Sequence, residues 1–162
     1  GWSHTFIYKN FNFYFLIDGR FGGNVLSQTQ AILDQYGVSK KTGTDRSIGY
    51  VELESHKIYN VKDFYEQIGG RSGATEYYMY NATNVRLREL SLAYSFPREW
   101  LSKTKIIQQL QVSLTARNLF FLYKDAPFDP DAVLSTNNNN QGIDIFGMPS
   151  TRNFGFNLKV VF

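Results

Sequence analysis

Three stretches of the chain alternate between apolar and polar residues for nine residues or more. In Phe11–Phe21, Phe11, Phe13, Phe15 and Ile17 share one parity, and Asn12, Tyr14, Leu16, Asp18 and Arg20 share the other. In Gln109–Arg117, Leu110, Val112, Leu114 and Ala116 alternate with Gln109, Gln111, Ser113, Thr115 and Arg117. In Asn153–Phe162, Phe154, Phe156, Leu158, Val160 and Phe162 alternate with Asn153, Gly155, Asn157, Lys159 and Val161. A period of two makes each stretch a strand with one greasy face. Strands of soluble proteins usually stop at about five or six residues, whereas tilted strands crossing a bilayer need about 9–11. Arg and Lys on the polar parity suit a wet interior better than a packed core. The lengths and the aromatic-rich face therefore predict an all-β chain of antiparallel transmembrane barrel strands.

Two more strands complete the reading. Trp2–Tyr8 is β-rich and meets Phe11 through a two-residue turn, Lys9-Asn10. Asn84–Phe96 is the other, but Arg86 and Arg88 share parity with Leu90, Leu92, Tyr94 and Phe96. Such a set cannot face lipid along one regular strand. Either a bulge resets the register near Glu89, or the Arg half stands above the membrane; the second is expected. The five strands fall at about 2–8, 11–21, 81–96, 107–123 and 151–162. Their connections are alternately short and long: Lys9-Asn10, Gly22–Tyr80, Pro97–Lys105, Lys124–Ser150. Short periplasmic turns and long extracellular loops are the habit of outer-membrane barrels. Helical character is expected at Val25–Tyr36 and Val61–Ile68 in the first long loop, and at Pro97–Leu101 in the second short turn. Asn137–Asn140 reads as solvated coil. Five strands cannot close a barrel, since the smallest membrane barrels use about eight, and open edges in hydrocarbon cost several kcal/mol per unsatisfied group. With no initiator Met or targeting segment at Gly1, the chain is expected to be an internal or C-terminal piece of a longer protein.

Composition removes other classes. There is no Cys, so no disulfide framework, thiolate metal site or Cys nucleophile. A net charge of +3 over 162 residues is too thin a footprint to suggest nucleic acid. Aromatic residues reach 17%, while charged residues are held to 19%, below the roughly 25% of soluble domains. His4 and His56 are the only histidines and have no metal spacing. Asp125, Asp129 and Asp131 do not follow a calcium-loop pattern and read as a solvated turn. No nucleophile elbow or phosphate loop is present, and Gly19–Gly23 reads as an exit from the barrel rim. Neither an enzyme nor a cofactor or metal site is expected.

The motifs occur in a telling order: Phe15-Leu16-Ile17-Asp18-Gly19-Arg20-Phe21-Gly22-Gly23, then Ala82–Pro97, then Ala116-Arg117-Asn118-Leu119-Phe120, then Asp129-Pro130-Asp131, then Pro149–Leu158 and a terminal Phe162. In this order they resemble the C-terminal end of a SusC/RagA-like TonB-linked outer-membrane transporter, from about Tyr8 to Phe162 and least clearly between Gly37 and Glu66. The resemblance implies a barrel of about 22 strands with a plugged lumen in the outer membrane of a Gram-negative bacterium. It implies active import of oligosaccharides or peptides powered through the TonB complex, with a SusD-like surface lipoprotein as partner. These 162 residues would supply the last strands and two outer loops, without the plug or the TonB-contacting segment. The contrasting expectation is a soluble β-sheet binding module.

Three residue groups stand out on that reading. Phe154, Phe156, Leu158, Val160 and Phe162 resemble the assembly signal of outer-membrane proteins, which the barrel-insertion machinery would pair with by adding a strand; an amphipathic strand of a soluble sheet is the plainer alternative. Tyr77, Tyr78 and Tyr80 suit stacking on cargo or an interfacial aromatic girdle. Arg86, Arg88 and Arg117 suit a lumen lining or pairing with carboxylates of strands outside this chain. In the complete protein, deleting Phe162 or replacing it with a charged residue is expected to lower outer-membrane insertion, read by immunoblot of membrane fractions. Unchanged levels would remove the assembly role.

Overall fold

The computed structural model describes all residues except 55, 71, 72, 74, 105, 133 and 135–140. The expectation for Asn137–Asn140 therefore lies outside the described residues. In chain order the elements are β1 (Trp2–Tyr8), β2 (Phe11–Arg20), β3 (Asn24–Ser27), α1 (Gln28–Gln35), α2 (Lys40–Ile48), β4 (Val51–Leu53), β5 (His56–Ile58), α3 (Val61–Ile68), β6 (Met79–Asn81), β7 (Asn84–Ser95), α4 (Arg98–Leu101), β8 (Gln109–Lys124), β9 (Ile143–Asp144) and β10 (Asn153–Val161). Short 3-10 turns cover Thr75–Tyr78 and Ser102–Thr104. They form two compact units.

The first unit comprises Gly1–Phe21, Thr83–Pro127 and Ser150–Phe162. It is one antiparallel sheet in the order β1-β2-β7-β8-β10, so every neighbour in the sheet is the next long strand in the chain. Tyr8 pairs with Phe11 across Lys9-Asn10, and Lys9 takes a φ of 51°, the positive φ that two-residue hairpin turns demand. Pro97 leads into the single turn of α4, as its fixed φ favours.

The register corrects the expectation for the arginine half of β7. Leu16 pairs with Glu89 and Ile17 with Leu87, so Arg88 is an extra residue against β2. Against β8, Glu89 pairs with Arg117 and Leu87 with Phe120, so 118 and 119 oppose Arg88. Asn118 absorbs the kink at a φ of 52°, a conformation Asn tolerates better than most residues. The bulge, the other alternative that the parity left open, resolves the conflict of parity. It moves Arg86 opposite Asp18 and returns Leu87 and Val85 to the row of Leu90 and Leu92.

The second unit comprises Gly22–Ala82 and Phe128–Pro149. Its sheets are β6-β3-β9 and the hairpin β4-β5. α3 forms where expected, since Val61, Phe64, Tyr65 and Ile68 recur at helical spacing. Val61 and Tyr65 join Val51 in a small core, with Leu53, Ile58, Phe64, Ile68 and Tyr77 packed against it. The helix expected at Val25–Tyr36 is shorter: Asn24–Ser27 is strand, and α1 begins only after Ser27, whose Oγ accepts from the Gln30 amide. α2 carries no apolar stripe and has no signal in the periodicity. Its signals are the Ser39 cap and Gly49 at a φ of 91°.

α1 and α3 approach closely at Gly69. A Cβ there would lie 2.5 Å from the Ala31 carbonyl oxygen and 3.0 Å from the Gln35 Cβ. Gly69→Ala is expected to cost this unit about 1–3 kcal/mol, seen as faster limited proteolysis between residues 28 and 70 of the detergent-solubilised complete protein. Unaltered cleavage would show that the helices separate freely.

Candidate functional site

The sheet of the first unit has two chemically distinct faces, and the pairing decides which residues share each. Trp2, His4, Phe6 and Tyr8 of β1 stand beside Ile17, Phe15, Phe13 and Phe11 of β2. That row continues through Leu87, Leu90, Leu92 and Tyr94, then Val112, Leu114 and Ala116, and ends on Leu158, Phe156 and Phe154 of β10. Ring contacts run along it: Phe6 lies 6.3 Å from Phe13, Phe13 6.1 Å from Phe15, and Phe11 4.7 Å from Tyr94. Phe154 and Phe156 remain 76% and 66% exposed. Among the described residues of this unit, no second layer covers these rings, and burying such surface is worth about 25 cal/mol per Å².

The opposite face holds the three sequence-predicted arginines. Arg88 Nη2 lies 2.6 Å from Asp18 Oδ2, in a pair whose side chains are each more than a third exposed, so it contributes at most about 1 kcal/mol. Arg117 Nη2 lies 3.6 Å from Glu89 Oε1. Arg86 is only 3% exposed. Its guanidinium lies 4.5 Å from the Phe121 ring centroid, and its Nη1 donates to Ser150 Oγ at 3.4 Å. The carboxylates for Arg88 and Arg117 thus come from this chain. Asp18 and Phe121 were missed because their partnership depends on bulges that the parity of one strand does not show.

Phe154, Phe156, Leu158 and Val160 form one row of β10, which pairs only with β8 among the described residues; Phe162 lies beyond the strand and is exposed.

Tyr77, Tyr78 and Tyr80 belong to the second unit. Tyr78 is 1% exposed and presents no open ring face. Tyr77 packs edge-on against Phe64 and Tyr78 and takes the Lys41 ammonium both on its hydroxyl and over its ring at 4.5 Å. Tyr80 packs edge-on against Phe128 at 5.4 Å. Burial above all, helped by the nearby Asp34 carboxylate, holds the phenols of Tyr78 and Tyr80 above their ordinary range. A cavity of about 300 Å³ is lined in part by Ser27, Ala31, Gln35, Gly69, Gly70 and Tyr78. No cluster among the described residues has the composition to hold a metal ion.

No family model matches the chain. The TonB-dependent receptor P3 of Formosa agariphila is 25% identical over 98% of this chain. The TonB-dependent receptor P39 of the same organism is 24% identical over all of it. Among solved structures, the RagAB peptide importer in its open-open state superposes with a TM-score of 0.69 at 18% identity over 99% of this chain. A RagAB peptide transporter structure gives 0.70 at 15% identity over 98%. In each case this chain spans 16% of the longer protein. The chain therefore has the fold of a segment of the RagAB structures, and both sequence relatives are named TonB-dependent receptors.

Tyr65 yields a pH test. It donates to Asp45 Oδ2 at 2.5 Å; burial, then that hydrogen bond, pushes its phenol far above the usual value near 10. The native phenol stays protonated where the unfolded one ionises. Its contribution is complete below about pH 10 and is lost as pH rises beyond it. Tyr65→Phe is expected to flatten the loss of protease resistance of residues 40–68 between about pH 9 and pH 11. An unchanged profile would mean that the loss arises elsewhere.

Proposed function

We propose, starting from a chain that resembles a segment of a SusC/RagA-like TonB-linked outer-membrane transporter, that it forms part of the barrel of an active nutrient importer. The observation that carries this reading is the one-layer sheet of long strands. Its aromatic face has no covering layer in its unit, while its other face carries paired charges. Hydrocarbon satisfies the first face, and a hydrated lumen or plug satisfies the second.

On this reading, Arg86, Arg88 and Arg117 face the lumen. The long connections 22–82 and 125–152 join the strand ends opposite the short turns, and so lie outside the cell if the turns are periplasmic. Tyr77 and Tyr80 then stand in outer loops, as girdle or cargo-contacting aromatics. The β10 row is the strand the barrel-insertion machinery would engage. The cargo is an oligosaccharide or a peptide, energy arrives through TonB, and a SusD-like lipoprotein serves as partner. The similarity to the RagAB peptide importer supports a peptide cargo, and that to TonB-dependent receptors supports the energy source. A soluble binding module would instead have to cover the whole aromatic row with a second layer.

The two faces make the test. In the complete protein, Phe156→Arg places a cation on the apolar face at an expected cost of about 2–4 kcal/mol if the site is at mid-bilayer. Asn157→Arg, one residue on, places it on the polar face. The first is expected to deplete the protein from the outer membrane and abolish uptake of labelled oligosaccharide or peptide pools, and the second to spare insertion. Equal tolerance of both, or a complete protein that stays folded in buffer without detergent, would overturn the reading.

A further inference from the structure

In the second unit, segments more than a hundred residues apart are joined at one buried point. Ser27 and Asp144 are 1% and 6% exposed. Ser27 Oγ donates to Asp144 Oδ2 at 2.7 Å while accepting from the Gln30 amide at 3.1 Å. A hydroxyl has one proton and two lone pairs, so one atom caps α1 and holds the second long connection at once. The Asp144 carboxylate is thereby held at the N-terminal end of α1, where the helix dipole favours negative charge.

Further bonds surround this point. β3 and β9 pair in parallel through Leu26–Ile143 and Ser27–Asp144. The Leu26 amide donates to the Gly142 carbonyl at 2.8 Å. The Phe146 amide donates to Thr29 Oγ1, in the first turn of α1, at 2.6 Å. Phe146 does so at a φ of 45°, a conformation that is a true outlier for a bulky residue. Backbone of that kind persists only where its surroundings over-determine it. The Ser27–Asp144 bond itself is buried in the unit, while the Phe146–Thr29 contact lies at its surface.

We propose that the described residues of 22–82 and 128–149 open and move as one body, with the Ser27–Asp144 hydrogen bond as the coupling. Releasing Asp144 removes a partner from the atom that caps α1. A disturbance of the second connection therefore reaches the first helix of the other. On the importer reading, on which this consequence rests, cargo or partner engaging either connection shifts both together, and uptake proceeds without β3 and β9 separating.

Two measurements test this on the complete protein in detergent and in cells. Asp144→Asn keeps the shape and removes the charge. It is expected to speed hydrogen exchange by about tenfold, in step, at the amides of α1 and of residues 141–146, and to leave β8 unchanged. Faster exchange at 141–146 with α1 unaltered would overturn the coupling. In this Cys-free chain, Leu26→Cys with Ile143→Cys places thiols on paired strands. Oxidation is expected to slow exchange in both segments and to leave uptake of labelled oligosaccharide and peptide pools intact. Uptake lost on oxidation and restored by reductant would show that the strands must part. If the unsubstituted protein imports nothing, the importer reading fails, and the exchange data still decide the coupling.

Discussion

A backbone amide in hydrocarbon has no water to turn to, and each unsatisfied group costs several kcal/mol. On the importer reading, the long ladders of this chain answer that constraint. β2, β7, β8 and β10 run ten, twelve, sixteen and nine residues, each hydrogen-bonded to its neighbour in the sheet. Strands of this length leave their side chains to sort by parity alone. The aromatic row from Trp2 to Phe156 and the polar row with Asp18, Glu89 and Arg117 both follow from that sorting.

The sorting holds along the sheet because the ladder is interrupted, at Arg88 on both sides of β7 and again between Val85 and Arg86 against β8. Arg88 adds a residue to β7 against β2, and residues 118 and 119 add another to β8. Without that interruption Arg86 would stand in the row of Leu90 and Leu92, unpaired on an apolar surface. With it, Arg86 is buried over Phe121 and Arg88 meets Asp18. The bulge thus sacrifices a little regular pairing to keep cations off the greasy face, which is the larger energy for a surface in contact with lipid.

The long connections obey different rules. They are held by small cores, helix caps and a few buried polar contacts: Val51, Val61 and Tyr65 packed together, the Tyr65–Asp45 hydrogen bond, and Ser27 joined to Asp144. Two segments distant in sequence become one compact unit, while the sheet separates an aromatic face from a charged one.

The sequence alone pointed to the period-two strands, their unusual length and α3, because each depends on local alternation or helical spacing. The order of its motifs also carried the resemblance that the relatives and the RagAB structures support. The tertiary structure decided what no local pattern holds. Parity offered a bulge near Glu89 as one of two alternatives, and only the register between three strands placed it at Arg88. α2 arises from its caps, Ser39 and Gly49, without an apolar stripe. The burial of Tyr78 follows from packing in the second unit, and the partners of Arg88, Arg117 and Ser27 lie 70, 28 and 117 residues away. Periodicity reports which way a side chain faces along its own element. Which side chain it meets is fixed by pairing between elements, and that is a property of the fold.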